Sequence, residues 1–401
     1  MAVVMMSYLG QDLVQKPYQH QPDLHVPTLK RQASKSSIRS FNGGFKAPIT
    51  RYYVDVRPLY PTPPSKTVDL PLLDTLPESL QNTITAFRRP EDRLMSLASQ
   101  LLKLLFIHRT AKIPWDQVIV SRTPKPHGRP YWAPPAKMGE IDFGLEFNVS
   151  HQAGMVGIIG CKTPPLAVAN AADYALAQAP IIVTPRASRA GTPTKEDSNP
   201  FEKTPVRLGL DIACTNEPNR TPKKMDTDLD FAKWADIFVE MFSDRELEDM
   251  KDAPILPIPS TPGPAIRQLS ISQVKQKSKL RRFYTYWSLK EAYIKMVGEG
   301  LLASWLRELE FFDVHPPVPQ YPGKWTPQHE ILKESDLKIH FQGELLDDLK
   351  MELIAFGDDF VLSTAMRGVE EESDGNGTKW EVIDFEKDVR PCAEGTCSCL
   401  A

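Results

Sequence analysis

One stretch of the chain carries apolar residues at the three- and four-residue spacing of a helix with one buried face. These residues are Leu94, Leu97, Ala98, Leu101 and Leu105. Pro90 and the acids Glu91 and Asp92 come just before them, and both residue types favour the first turn of a helix. The pattern therefore predicts a core-facing helix that begins at Pro90.

Shorter stretches alternate apolar with other residues, as strands do. The predicted strands lie at 52–56, 145–149, 156–159, 208–212, 337–341, 351–356 and 360–365. Ser150 and His151 fall at the tip between the second and third of these strands. Asp211 lies either on the opposite face from the apolar side chains of the fourth strand or at the end of that strand. An amphipathic helix is expected at 231–250. Short strands with segregated helices predict an α+β fold, and the order of helix then strands occurs twice, which suggests a duplicated architecture.

Composition divides the chain into unequal parts. Of its 401 residues 37 are proline, nearly twice the usual share of about 5%, which indicates long non-helical insertions. We expect a flexible extension at 1–50, an N-terminal α+β half at 51–205 with a Pro/Ala-rich insertion at about 161–205, and a C-terminal α+β half at 206–370. The second half carries an insertion at about 251–275, and a tail follows at 371–401.

The net charge of −3 provides no general attraction to nucleic acid or to an anionic membrane, so we expect neither as a partner. An anionic ligand would have to be held by a local cluster of cations. The first residues lack the basic segment of a secretory signal, and no apolar run is long enough to span a bilayer. We therefore expect a protein of the reducing cytosol.

Three of the five cysteines lie in the last ten residues, as Cys392, Cys397 and Cys399. An odd number of cysteines does not indicate a disulfide framework. The tail cysteines could bind a metal or carry a lipid, although their positions do not fit prenylation. A solvated tail is the expectation.

The segment from Trp287 to Lys295 combines a carboxylate with two ammonium groups. On a helix Glu291 and Lys295 share one face, and Lys290 lies about 100° around from Glu291. The three charges could therefore converge on a metal-bound anion. The alternative is an ordinary salt bridge on a solvated face. The aromatic residues just upstream and the helix end indicated at Gly298 argue against that alternative.

Asp211 and Glu291 together offer the oxygen ligands that Mg²⁺ prefers. Three cations could balance the charge of a bound phosphate, namely Lys290, Lys295 and Arg129. Ser150 and His151 could donate hydrogen bonds from the hairpin tip. Taken singly, each of these residues has an ordinary structural interpretation as a turn or surface residue.

Taken together and in order, these motifs resemble the 4′-phosphopantetheinyl transferase superfamily, in its large monomeric class and as a fungal member. The motifs are Gly128-Arg129-Pro130, Phe147-Asn148-Val149-Ser150-His151, Gly209-Leu210-Asp211, Phe242-Ser243-x-x-Glu246 and Trp287-x-x-Lys290-Glu291-Ala292-x-x-Lys295. The resemblance implies a pseudo-dimer of two similar α+β halves in one chain, with coenzyme A and Mg²⁺ in the cleft between them. It implies transfer of the phosphopantetheine arm to a serine of acyl or peptidyl carrier proteins, with release of adenosine 3′,5′-bisphosphate.

By matched position, Asp211 and Glu291 would hold Mg²⁺, and Lys290 and Lys295 would contact phosphate. The 3′-phosphate of coenzyme A would be held by His151 and Ser150, helped by Arg129. Glu291 is the expected general base. Arg89 and its neighbours Arg88 and Arg93 could meet coenzyme A or an acidic carrier protein, or could be plain solvated charges.

The chain departs from the bacterial pattern at Ala213, where those relatives carry a second acid. Water, Gln152 or Glu217 could fill the vacant coordination position. Two alternatives to the transferase remain at this stage: a Mg²⁺-dependent coenzyme A pyrophosphatase, and a non-catalytic module that binds coenzyme A or carrier proteins. The carrier proteins themselves, whether of fatty-acid, polyketide, nonribosomal peptide or lysine synthesis, cannot be chosen from the sequence.

Overall fold

The computed structural model describes most of the chain outside the predicted insertions. The described residues are 45–61, 67–123, 128–134, 143–164, 205–217, 225–252, 254–256, 269–299, 303–317, 337–371 and 379–400. Most of the predicted extension at 1–50 and most of the insertions at 161–205 and 251–275 lie outside these ranges.

The helices are α1 (Glu78–Thr85), α2 (Pro90–Ala111), α3 (Asp228–Ala235), α4 (Asp244–Asp252), α5 (Ile271–Val297) and α6 (Arg390–Ala393). The first strands are β1 (Phe45–Ala47), β2 (Thr50–Asp55), β3 (Val120–Arg122), β4 (Pro130–Trp132), β5 (Gly144–Gln152), β6 (Met155–Thr163) and β7 (Arg207–Cys214). The later strands are β8 (Leu309–Phe312), β9 (Lys338–Phe341), β10 (Glu344–Leu345), β11 (Leu349–Phe356), β12 (Phe360–Arg367), β13 (Val369–Glu371) and β14 (Glu381–Val382).

The N-terminal half packs the long helix α2 on a sheet of order β14-β2-β6-β5. Helix α2 begins at Pro90, as predicted, and ends where Lys112 adopts a left-handed conformation. The predicted hairpin is β5 and β6, which pair antiparallel across a turn at Ala153 and Gly154. Ser150 and His151 therefore belong to the end of β5, close to the tip.

The C-terminal half packs a second long helix, α5, on the antiparallel sheet β11-β12-β7. Its first turn is held by a capping box between Ser270 and Gln273. It ends at Gly298, whose φ of 85° suits glycine, so the predicted helix end is confirmed. Among the described residues, no helix has the length and apolarity that a membrane span requires.

The predicted single helix at 231–250 is wrong. The segment is divided into α3, a 3₁₀ turn at Asp236–Phe238 and α4. The reason is a second capping signal inside the stretch: the N–H of Glu246 donates to the Ser243 hydroxyl at 3.3 Å, and the N–H of Ser243 donates to the Glu246 carboxylate at 3.0 Å. This reciprocal pair starts a new helix.

The expectation of a solvated tail is also wrong for residues 379–400. Strand β14 pairs with β2, and the tail buries apolar side chains in the core of the N-terminal half. These are Ile383, Phe385, Val389 and Cys392. The burial of this apolar surface holds the tail in place.

The two halves meet where β5 approaches the free edge of β7. One edge of β7 pairs with β12, and four N–H groups on the other edge donate to β5 side chains. The bonds join Leu208 to Glu146 (2.9 Å), Leu210 to Asn148 (3.0 Å), Ile212 to Ser150 (3.2 Å) and Cys214 to Gln152 (3.2 Å). Alternate residues of a strand share one face, so the accepting side chains of β5 and the donating N–H groups of β7 both recur every second residue. We call this arrangement the β5–β7 ladder.

Replacing Asn148 with Ala should destabilise the protein, because the buried N–H of Leu210 would lose its acceptor. We expect the free energy of unfolding to fall by about 1–3 kcal/mol, measured by urea denaturation. Asn82→Ala, the same change on the exposed surface of α1, is the matched control and should leave stability close to that of the wild type. Equal midpoints for the two variants would contradict the ladder's role.

Candidate active site

The ladder ends at a cavity of about 220 Å³ that β5, β7 and α5 enclose. Its lining residues are Val149, Ser150, His151, Gln152, Asp211, Ile212, Trp287, Glu291 and Lys295. Six of the predicted site residues are therefore brought together here: Ser150, His151, Gln152, Asp211, Glu291 and Lys295.

A close approach of β7 to α5 places Asp211 in this cavity. A Cβ atom on Gly209 would overlap the carbonyl oxygen of Ala292, so only glycine lets the strand lie against the helix here. Asp211 follows two residues later on the same strand face. The apolar Leu210 and Ile212 point the other way, into the core between the sheets, as the alternation predicts.

Lys295 connects all three elements around the cavity. Its Nζ donates to Asp211 Oδ1 at 2.7 Å and to Ser150 Oγ at 2.9 Å. Ser150 Oγ also accepts the N–H of Ile212 and lies 3.4 Å from Asp211 Oδ1. Ser150 is thus both a member of the ladder and a member of the site.

Two cavity-lining residues each carry a carboxylate oxygen without a partner in the described part of the chain. Asp211 Oδ2 and Glu291 Oε1 are buried and make no hydrogen bond there. Burial, together with the charge of Asp211, raises the pKa of Glu291 to about 8, while Lys295 acts in the opposite direction. Unpaired buried acid oxygens that share a cavity are a donor set that fits a hard divalent cation.

Gln152 and Glu217 lie at the edge of the site. Gln152 Nε2 donates to the Glu217 carboxylate at 2.6 Å, while Gln152 Oε1 accepts the N–H of Cys214 in the ladder. Ala213 is fully buried in the core beside α5. Gln152 and Glu217, the two residues predicted as substitutes for the missing acid, therefore contact each other. His151 lines the cavity with an exposed side chain.

Lys290 does not reach the cavity, which corrects the expectation that it contacts phosphate. Its side chain has no exposed surface. Nζ is 2.8 Å from the Glu246 carboxylate and donates to the carbonyl oxygens of Leu306 and Leu309 at 2.8 and 2.6 Å. The angular offset from Glu291 turns Lys290 into the protein core, where its charge joins α4, α5 and the start of β8.

Arg129 is likewise a buried structural residue and not a ligand of the cavity. Its guanidinium donates to the Glu146 carboxylate, to the Leu208 carbonyl oxygen at 3.2 Å and to the Met296 carbonyl oxygen at 3.5 Å. It therefore joins β5, β7 and α5 at the far end of the ladder. Arg89 is exposed and lies 3.6 Å from the Glu91 carboxylate, and its contact with coenzyme A stays a prediction.

The sequence interpretation missed two residues of the ladder, Glu146 and Asn148, which lie away from the cavity. A signal was present, because Glu146, Asn148, Ser150 and Gln152 are four polar residues at period two. Such a row on a predicted buried strand requires polar partners. The partner strand could not be named from sequence, since it lies 62 residues away in each bond.

Comparison with known proteins identifies the family. A model described as "4′-phosphopantetheinyl transferase, N-terminal" matches residues 63–163, and the model of the 4′-phosphopantetheinyl transferase superfamily matches residues 207–331. The chain belongs to the 4′-phosphopantetheinyl transferase superfamily. The resemblance drawn from the motifs is thereby confirmed. One matched region lies within the N-terminal half of the fold and the other within the C-terminal half.

Similar members of the superfamily come from fungi. 4′-Phosphopantetheinyl transferase A of Aspergillus fumigatus is 38% identical over 88% of this chain and 96% of its own length. 4′-Phosphopantetheinyl transferase NpgA of Emericella nidulans is 34% identical over the same shares. A 4′-phosphopantetheinyl transferase of Aureobasidium melanogenum is 31% identical over 85% of this chain and 96% of its own.

In this phosphopantetheinyl transferase, Lys290→Met should lower the free energy of unfolding by about 3–5 kcal/mol, because the Glu246 carboxylate would stay buried without its cation. Lys275→Met is the matched control on the same helix, since that ammonium pairs with the exposed carboxylate of Asp228. It should unfold much closer to the wild type in urea. Comparable losses in both variants would contradict the structural assignment of Lys290.

The raised pKa of Glu291 predicts how the metal-free transferase responds to pH. Between the unfolded value near 4.5 and the folded value of about 8, the folded state keeps a proton that the unfolded chain releases. Folding stability from this group is therefore complete below pH 4.5 and is lost as the pH rises towards 8. In excess chelator, the melting temperature should fall with pH more steeply for the wild type than for Glu291→Gln. Parallel curves would refute the shift.

Proposed function

We propose that this transferase moves the 4′-phosphopantetheine arm of coenzyme A onto a serine hydroxyl of apo acyl and peptidyl carrier proteins. The main support is the cavity at the end of the ladder, where Asp211, Glu291 and Lys295 lie together, in a chain whose relatives are named 4′-phosphopantetheinyl transferases. In the reaction the serine oxygen bonds to the β-phosphorus of coenzyme A. The bond to adenosine 3′,5′-bisphosphate breaks, and that bisphosphate leaves.

The two halves would form a pseudo-dimer with coenzyme A bound between them. Each half packs one long helix on a sheet, and the cavity lies where β5 of one half meets β7 and α5 of the other. Since one chain supplies both sides of the cavity, we expect the enzyme to act as a monomer.

Asp211 and Glu291 would hold the Mg²⁺ ion through their unpaired oxygens, with Gln152, Glu217 or water completing the shell. When bound, the ion would neutralise charge on the pyrophosphate of coenzyme A, the main requirement of a phosphoryl-type displacement. The single missing acid at Ala213 leaves these two carboxylates as the principal protein ligands.

The remaining residues would orient the substrate and move the proton. Lys295 brings an ammonium next to Asp211 and would add positive charge beside the pyrophosphate. Ser150 and His151, at the end of β5, would hold the 3′-phosphate. Glu291 would accept the proton of the attacking serine, because it is an acid that lines the cavity in which the substrate would bind.

Mass spectrometry of purified apo-carrier proteins, incubated with the transferase, coenzyme A and Mg²⁺, tests the reaction and its range together. We expect a gain of one phosphopantetheine on the carrier serine. Release of free phosphopantetheine with an unmodified carrier would instead identify a pyrophosphatase. Coenzyme A binding without either product would identify a non-catalytic module. Excess chelator should abolish the transfer, and full activity under chelation would refute the metal requirement.

The role of Glu291 is tested in the same assay with Glu291→Gln. Loss of the general base should slow transfer by at least about 100-fold, while coenzyme A binding, measured by calorimetry, survives at least in part. Glu344→Gln removes an exposed acid from β10 and is the control, which should transfer at the wild-type rate. Near-normal turnover of Glu291→Gln would exclude Glu291 as the base.

A further inference from the structure

A second cluster of metal-ligating side chains lies at the end of α2, apart from the cavity of the active site. It consists of His108, Cys392, Cys397 and Cys399, whose ligand atoms all lie within 4.8 Å of one another. The sulfur atoms of Cys392 and Cys399 are 3.7 Å apart, and His108 Nε2 is 3.2 Å from Cys397 Sγ.

We propose that these four side chains bind one zinc ion, through three thiolates and one imidazole. Three cysteines and a histidine are a known tetrahedral donor set for zinc, with zinc–sulfur bonds of about 2.3 Å. A tetrahedron with bonds of about that length separates its sulfur atoms by about 3.8 Å. The separation of Cys392 and Cys399 matches that edge, and the other ligand atoms need to move by about 1 Å at most along each edge to reach it.

The histidine is held in the tautomer that zinc requires. His108 Nδ1 is 2.6 Å from the carbonyl oxygen of Ile113. Because a carbonyl only accepts hydrogen bonds, Nδ1 carries the proton, and in the neutral ring Nε2 keeps its lone pair. That nitrogen faces Cys397 Sγ. A backbone carbonyl on the second nitrogen is the usual orienting partner of a metal-bound histidine.

The backbone of the tail brings the cysteines together independently of any ion. The Pro391 carbonyl oxygen accepts the N–H groups of Thr396 and Cys397 at 2.8 and 3.0 Å. Gly395, with a φ of 70°, allows this tight return, which carries Cys397 back towards Cys392. Lys112 Nζ donates to the Cys399 carbonyl oxygen at 2.6 Å and anchors the last cysteine to the end of α2.

A disulfide is a poorer account of the same cluster. It needs a sulfur–sulfur bond of about 2.05 Å, shorter than the observed separation, and all the cysteines are free. One bond would also leave a third thiol and the oriented imidazole unused. Cys161 and Cys214 are buried elsewhere and do not belong to the cluster.

The site is structural, because protein atoms fill all four zinc positions and no open position is left for a substrate. Its consequence is to fasten the tail. Upstream in the tail, the buried Trp380 packs against Gly157 of β6, in the same core cluster as Leu210 and Ile212 of β7. Zinc would thus secure a segment that fills the core behind the strands of the active site.

Zinc content measured by mass spectrometry after dialysis against a weak chelator tests the proposal. The wild type should retain one zinc per chain. The double variant Cys397→Ser, Cys399→Ser should retain at least about tenfold less, and the control Cys161→Ala should retain as much as the wild type. Cobalt loaded into the wild type should give the strong visible absorption of a tetrahedral thiolate site, which the carboxylates of the active site cannot produce.

The wild-type measurements keep the test valid even where the double variant does not fold. The proposal is overturned by a zinc-free wild type in which the partly exposed thiols of Cys397 and Cys399 react with maleimide before chelator is added. It is equally overturned by a disulfide among the tail cysteines in protein purified from a reducing cytosol, or by equal zinc content in wild type and folded double variant. The proposal is supported if the tail thiols are protected from maleimide in the wild type and if a strong chelator abolishes that protection.

Discussion

The β5–β7 ladder is the contact on which the arrangement of both halves depends. A sheet edge that is buried without acceptors costs about 1–3 kcal/mol for each unsatisfied N–H. The edge of β7 could therefore not lie inside the protein unless another element supplied hydrogen-bond acceptors. The polar side chains of β5 do so at the spacing of the strand. Because that spacing is two residues, sliding β5 by one residue would turn its apolar side chains to the N–H groups. The ladder therefore sets the register between the halves.

The position of the active site follows from that register. Ser150 accepts an N–H in the ladder and also the ammonium of Lys295, so the contact that joins the halves orients the site. At the opposite end, the guanidinium of Arg129 joins the Glu146 carboxylate to carbonyl oxygens of β7 and α5. The motif residues therefore lie at two opposite ends of the interface between β5 and β7. Only the end with Ser150 and Lys295 opens into the cavity.

What the sequence could predict was set by how local each signal is. Three features depend on periodicity within a few residues and are found: the helix from Pro90, the hairpin of β5 and β6, and the position of Asp211 opposite the apolar side chains of β7. Lys290 shows where this reasoning ends. The position of Lys290 next to Glu291 on the helix was predicted. The direction of its side chain depends on Glu246, which the capping box of α4 places beneath α5. Strand partners, the packed tail and the direction of Arg129 are likewise decided by distant contacts.

The electrostatics of the site explain why its charges can be held ready without weakening the interface. Lys295 and Ser150 both engage Asp211 Oδ1, while Oδ2 of the same carboxylate and Glu291 Oε1 have no hydrogen-bond partner among the residues that the structure describes. A cation could therefore bind the unpaired oxygens without breaking a contact of the ladder. Before it binds, burial and the charge of Asp211 raise the pKa of Glu291, so that a proton on Glu291 avoids the cost of burying its charge and the repulsion between the two acids. The same carboxylate can thus be neutral in the empty site and charged when a cation is bound.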